Sequence, residues 1–219
     1  MFDQVKAVIF DMDGTLLDSM HIWRQIDEDF LNSRGLLMRP DLQEKIEGRS
    51  MIQTAAWFKE SYHLAESVEE LTEIWNAMAM EAYEKTIETK PGAIEFMQML
   101  RDRGYALAIG TSNSRPLVEA SFSRNHLDQL VSVCVTSDEI SRGKPAPDIY
   151  LRAARDLSLS PASCLVFEDI LPGIAAARAA GMKVCAVEDP YSAAVRDQKI
   201  READYFIDSF AEAISILSQ

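Results

Sequence analysis

Two aspartates, Asp11 and Asp13, end an apolar run in the stretch VIFDMDGTLLD, residues 8–18. Carboxylates this close raise each other's pKa unless something offsets their repulsion, so the pair asks for a cation, a proton or open solvent. Three later stretches carry further polar groups: Thr111, Ser112 and Asn113 in IGTSN, Lys144 in GKPAPD, and Glu168 with Asp169 in VFEDILPG. Carboxylates, hydroxyls and one ammonium together suit chemistry on an anionic group held near a cation. Each stretch also has an ordinary structural use, as a solvated turn, a helix cap, a surface charge or an acidic helix N-terminus. What separates the two uses is whether the fold brings the stretches to one place.

The hydrophobic patterning says that it does. Short apolar runs at residues 5–10, 105–110, 131–135, 164–167 and 183–187 read as strands, and YFI near Phe206 as a sixth. From Lys90 onward, the strands alternate with helical spacing at residues 93–103, 117–124, 148–157, 174–180 and 210–217. That alternation predicts an α/β fold with right-handed crossovers and a parallel sheet. Ligands in such sheets bind where the chain leaves the carboxyl ends of the strands. All four polar stretches follow a predicted strand, so one rim would hold them. The region after Asp18 differs in texture. Ile22, Ile26 and Phe30 recur at helical spacing, and Ser67 with Glu70 reads as a capping box opening a second helix. All three tryptophans, Trp23, Trp57 and Trp75, lie in this stretch and read as fillers of a small helical unit. The unit interrupts the sheet between its first two strands.

Composition bounds the partners. In 219 residues, 22 Lys plus Arg face 35 Asp plus Glu, a formal charge of −13, which argues against nucleic acid and anionic membranes. It does not exclude a phosphorylated small molecule, because charges beyond a Debye length of ~8 Å are screened and a local cationic cluster decides. Cys134, Cys164 and Cys185 sit in apolar runs and read as free thiols of a reducing, cytoplasmic setting. No long apolar span is present, the first strand leaves no room for a signal peptide, and a monomer is the default expectation.

Four motifs in this order, with a helical insertion after the first, resemble the haloacid dehalogenase-like (HAD) superfamily. Within it they resemble the β-phosphoglucomutase and sugar-phosphatase group of the aspartate-nucleophile branch. The resemblance implies a Rossmann-like parallel-sheet core at residues 1–16 and 91–219, with an inserted α-helical cap at 17–90. It implies a Mg²⁺-dependent phosphatase acting on a small phosphorylated metabolite, such as a sugar phosphate, through an aspartyl-phosphate intermediate. Asp11 would be the nucleophile, and Asp13 the general acid and then the base. Asp11, Asp169 and the Asp13 backbone carbonyl would ligate Mg²⁺, with Glu168 a further ligand or an orienting partner. Thr111, Ser112 and Lys144 would bind the phosphate, and Arg49 in EGRSM is the cap residue placed to contact substrate. An acid at position 13 favours phosphoryl transfer over dehalogenation.

Two alternatives follow from the same resemblance. A β-phosphoglucomutase-type enzyme would move the phosphoryl group between sugar positions. This chain departs from that pattern, with Trp23 where those enzymes carry a cap histidine and Met51 where they carry a cap-loop arginine. A non-catalytic phosphate-binding or phosphoaspartate switch protein is the more distant alternative, since fold alone does not imply function.

Overall fold

The computed structural model describes residues 1–218. Its centre is an all-parallel sheet of six strands: β1 (Ala7–Phe10), β2 (Ala106–Gly110), β3 (Val133–Val135), β4 (Cys164–Glu168), β5 (Lys183–Val187) and β6 (Tyr205–Ile207). Their spatial order is β3-β2-β1-β4-β5-β6. The order reverses direction at β1, so the loops after β1, β2 and β4 diverge from one central crevice, the place where open α/β sheets bind ligands.

Alternate residues of the central strands face opposite sides. Val8, Phe10, Ile109 and Phe167 enter one core, where Phe10, Phe96, Phe167 and Phe210 form a chain of stacked and edge-on rings with centroids 5.2–6.2 Å apart. Helices α5 (Ala93–Asp102), α6 (Arg115–Asn125) and α10 (Phe210–Leu217) supply the covering layer. Ala7, Ile9, Ala108 and Val166 enter the other core, against α7 (Asp148–Asp156) and α8 (Leu171–Ala179). There Ala153, Ala154, Ala176 and Ala177 present small side chains that let the helices lie close to the sheet.

Between β1 and β2 the chain forms α1 (Met20–Ser33), α2 (Leu42–Ile46), α3 (Met51–Tyr62) and α4 (Val68–Lys85), the helical insertion expected from the sequence. The Ser67–Glu70 capping box opens α4 as expected, and a second box, Ser50–Gln53, opens α3. Phe30, Phe58 and Trp75 pack edge to face at the centre of this layer, with centroids 4.9–5.9 Å apart. The two crossings into the insertion are tied together: the Asp18 N–H donates to Glu88 O at 3.0 Å and the Lys90 N–H to Leu16 O at 2.7 Å. Helix α4 lies along α6, which seats the insertion over the carboxyl rim of the sheet.

Among the boundaries that differ from the sequence reading, three have local reasons. The Val5 and Val131 N–H groups close turns onto Phe2 O and Leu127 O, so β1 and β3 start two residues late. Helix α8 starts at Leu171 because Pro172 sits in its first turn, where a missing N–H costs nothing. Helix α9 (Arg196–Glu202) was not foreseen.

Candidate active site

The β1 ladder continues one residue past the strand, with the Asp11 N–H donating to Phe167 O at 2.9 Å. That hydrogen bond fixes Asp11 at the mouth of the crevice, buried beside the residues that follow β4. Lys144, on the loop between β3 and α7, is also buried, and its Nζ lies 2.5 Å from Asp11 Oδ1 while donating to Glu168 Oε1 as well. Glu168 is held on every side. Tyr150 of α7 donates to its Oε1 at 3.0 Å, and the Ile170 N–H donates to its Oε2 at 3.0 Å. There is no room for a side chain at Gly173, where a Cβ would fall 1.7 Å from Glu168 Oε1.

Asp169 completes the group. Its Oδ1 accepts from Thr15 Oγ1 at 2.8 Å, whereas its Oδ2 is buried with no hydrogen-bond partner among the described residues. Asp11, Glu168 and Asp169 each present an oxygen within 4.8 Å of the others. A buried, unpaired carboxylate oxygen in such a cluster is costly unless a cation or proton joins it. An all-oxygen set of buried carboxylates suits a hard divalent cation. Thus the donor set and the orphaned oxygen both fit the metal expected from the sequence. Of the four residues expected around it, the carboxylate of Asp13 stands apart from this cluster.

Burial pushes Asp11 up to about 8 despite the opposing Lys144 ammonium, with Glu168 and Asp13 adding to the rise. Burial also raises Asp169, as do the charges of Glu168 and Asp11. Lys144 goes the other way from what burial dictates: burial alone would lower it, but Asp11 and Glu168 hold it well above the usual lysine range. Without a cation, burial therefore favours the protonated forms of Asp11 and Asp169 while the Lys144 ammonium stays charged.

Asp13 points toward the insertion. Its Oδ1 accepts from Ser19 Oγ at 2.6 Å and from the Tyr83 hydroxyl of α4, and its Oδ2 accepts from Asn113 Nδ2 at 2.9 Å. Burial raises its pKa and these donors counter the rise. The loop after β2 brings Thr111, Ser112 and Asn113 to the same rim. Thr111 Oγ1 accepts from the Asn113 N–H at 3.1 Å, and Ser112 Oγ reaches Gly48 O of the insertion at 3.3 Å. Arg49 is exposed at the edge of the cavity and makes no ion pair among the described residues. His21 faces outward, 4.0 Å from Asp18. A cavity of about 490 Å³ runs from Asp11, Lys144 and Asn113 up to Arg49, Asp27 and Trp75.

Sequence reasoning missed Thr15, Ser19, Tyr83 and Tyr150 as members of the site. Thr15 and Ser19 lie close after the first motif and were within reach of it. Tyr83 and Tyr150 carry no local signal, since only the tertiary fold brings them to Asp13 and Glu168.

A family model described as haloacid dehalogenase-like hydrolase matches residues 8–187. The chain belongs to that family. Hexitol phosphatase A of Escherichia coli (strain K12) is 32% identical to it, over 98% of this chain and 95% of that protein. A bifunctional riboflavin kinase/FMN phosphatase of Arabidopsis thaliana is 35% identical over 83% of this chain, which spans about half of that longer protein (48%). The crystal structure of CbbY from Rhodobacter sphaeroides in complex with phosphate superposes with a TM-score of 0.85 at 25% identity, covering 98% of this chain and 100% of that one. The expectation of a phosphoric monoester hydrolase is met by relatives named as phosphatases.

Two predictions follow for this hydrolase without substrate. Gly14, with φ +78°, would place a Cβ 2.2 Å from Asp169 Oδ2. Gly14→Ala is expected to lower stability by about 1–3 kcal/mol and to remove any rise in melting temperature on addition of a divalent cation, both read by thermal unfolding. The second concerns pH. Asp11 titrates at 3.8 when unfolded and at about 8 when folded without a cation, so between those values the folded state binds the more protons and its stability declines as pH rises. The cation-free protein should lose melting temperature from about pH 4 to about pH 8, and any gain from an added divalent cation should grow over the same range, because a bound cation would displace those protons. A gain that shrinks with rising pH would contradict this.

Proposed function

We propose that the protein is a Mg²⁺-dependent phosphatase that hydrolyses a small phosphorylated metabolite, a sugar phosphate or similar, through an aspartyl-phosphate on Asp11. The observation that carries the reading is the Lys144 ammonium 2.5 Å from Asp11 Oδ1, beside a buried trio of carboxylates. A carboxylate held next to a fixed ammonium at the mouth of a substrate-sized cavity is poised to attack an anionic phosphorus centre. The names of the relatives, a hexitol phosphatase and an FMN phosphatase among them, support a phosphate monoester of a polyhydroxylated molecule.

Asp11, Asp169 and the Asp13 backbone carbonyl would hold the Mg²⁺, which when bound neutralises phosphoryl oxygens and aligns them for in-line attack. Glu168 acts through Lys144 and Tyr150: both its oxygens are engaged, which favours the orienting role over direct ligation. Lys144 neutralises charge on Asp11 and on the arriving phosphoryl group. Thr111 and Ser112, with backbone N–H groups of their loop, bind the phosphoryl oxygens. A carboxylate oxygen of Asp11 attacks phosphorus as the ester P–O bond breaks, and Asp13 gives the leaving oxygen its proton. In the second half, Asp13 takes a proton from the water that attacks the aspartyl-phosphate, and inorganic phosphate leaves.

We place the division between core and cap at residues 17 and 90, supported by the paired crossings at Leu17 and Thr89. The cap chooses the leaving group, with Arg49 at the cavity edge. The mutase alternative loses support, because the Trp23 indole donates to Tyr83 at 2.9 Å and so belongs to a hydrogen-bonded wall, and because His21 faces outward. No helix among the described residues is long and apolar enough to cross a membrane, and three free cysteines suit a reducing, cytoplasmic setting.

Asp11→Asn should abolish Mg²⁺-dependent phosphate release from 4-nitrophenyl phosphate while leaving the far-ultraviolet dichroism unchanged; turnover at the wild-type rate would remove Asp11 from its role. Arg49→Ala should raise KM for a sugar phosphate substrate by about tenfold, the scale of one charge-assisted contact, and leave KM for 4-nitrophenyl phosphate nearly unchanged. Equal effects on both would remove Arg49 from substrate contact.

A further inference from the structure

We propose that Tyr83, held in place by Trp23 and Asn113, is a positioning residue for Asp13 that leaves Asp13 Oδ2 as the atom delivering the proton to the leaving group. The inference rests on the phosphatase reading and adds to it a function for three side chains that the reading does not use. Two of them, Tyr83 and Trp23, come from the helical insertion, and Asn113 comes from the loop after β2.

A count of donors and acceptors fixes the direction of the hydrogen bonds around Tyr83. Asn113 Oδ1 accepts from the Ser114 N–H at 2.8 Å, which orients the amide so that Nδ2 faces the site. Its two protons go to Asp13 Oδ2 and to the Tyr83 oxygen, each at 2.9 Å. The Trp23 indole, which can only donate, gives a second proton to the Tyr83 oxygen at 2.9 Å. With both lone pairs of that oxygen occupied, the single Tyr83 proton has one recipient, Asp13 Oδ1. Ser19 Oγ donates to the same Oδ1 at 2.6 Å. Oδ1 thus receives two donors and Oδ2 only one, from Asn113, so Oδ2 is the oxygen with a site left for the proton of the neutral acid. Tyr83 is buried and the phenol has no route to solvent that would compete with this arrangement.

The step then balances. A carboxylate oxygen of Asp11 bonds to phosphorus and the P–O bond of the ester breaks with its electron pair on the leaving oxygen. That oxygen takes the proton from Asp13 Oδ2, and Asp13 is left as a carboxylate whose Oδ1 still accepts from Tyr83 and Ser19. The attacking water later returns a proton to it. Because Tyr83 and Trp23 belong to the insertion and Asn113 to the core, the acid is fully oriented only with the two packed together.

The test is the dependence of kcat/KM on leaving-group basicity, measured with a series of aryl phosphates whose phenols rise in pKa. This parameter reports the steps up to formation of the aspartyl-phosphate, and an acidic phenol leaves without needing a proton. Tyr83→Phe is expected to cost less than about twofold with the most acidic phenol and about tenfold with the least acidic, a fraction of what general acid catalysis contributes. Trp23→Phe, which frees the Tyr83 oxygen from one donor, should steepen the dependence in the same sense by a smaller factor. Tyr83→Phe is compared after its melting curve shows a cooperative fold, and Trp23→Phe carries the test where it does not. Asp13→Asn separates the two levels. If Asp13→Asn steepens the dependence and both other variants lower kcat/KM equally across the series, the positioning role is overturned and the phosphatase reading stands. If Asp13→Asn leaves the dependence unchanged, the acid role fails and the positioning role with it.

Discussion

One buried ammonium governs the arrangement of this site. Lys144 lies between Asp11 and Glu168, donating to both, and its charge opposes the rise that burial gives Asp11. Removing a partner from a buried ion pair leaves an uncompensated charge at a cost of several kcal/mol, so each member requires the others. Much of the neighbouring structure serves to keep Lys144 there. Tyr150 and the Ile170 N–H fix Glu168, Gly173 makes room for its carboxyl, and the β1 and β4 strands set Asp11 and Glu168 side by side. The third carboxylate, Asp169, receives no such partner, and its free oxygen is where the cluster opens to a cation.

The net charge of −13 is no obstacle to an anionic substrate under this arrangement. What the substrate meets at short range is a fixed ammonium, the hydroxyls and amides of the 111–113 loop, and a cation-ready carboxylate cluster. Charges on the solvated surface are screened by salt and do not reach the substrate. The insertion adds a second kind of control. By reaching Asp13 through Tyr83 and the cavity through Arg49, it touches both a buried carboxylate of the site and the cavity above it.

The parallel sheet and its chemical rim were legible because both are written locally. Each strand is a short apolar run with a polar residue at its carboxyl end, and the strand order of an α/β fold then assembles Asp11, Thr111, Lys144 and Asp169 without further information. Helix α9 was not legible: its sequence, RDQKIRE, shows no apolar stripe. In the fold Lys199 is fully buried, donating to Val187 O at 3.0 Å and Ser192 Oγ at 2.7 Å, so a hydrogen-bonded ammonium does the anchoring that a leucine does elsewhere. Trp23 was read as a packing residue, and half of that is right. Its ring does pack against Tyr83, while its N–H has a specific acceptor that only a contact sixty residues away supplies. Polar contacts of this range leave no periodicity behind, so Asp11, Asp13, Asn113 and Lys144 are legible in the sequence and Tyr83 is not.

In the reaction proposed above, Asp11 carries the phosphoryl group between the two halves. Acid quench of the enzyme during steady-state turnover with Mg²⁺ and a phosphate monoester, followed by peptide mass mapping, tests it most directly. A phosphorylated, acid-trapped carboxylate at Asp11, sensitive to hydroxylamine as an acyl phosphate is, is the predicted result. Full turnover with Asp11 unmodified at every quench time, or the label on another side chain, would contradict it.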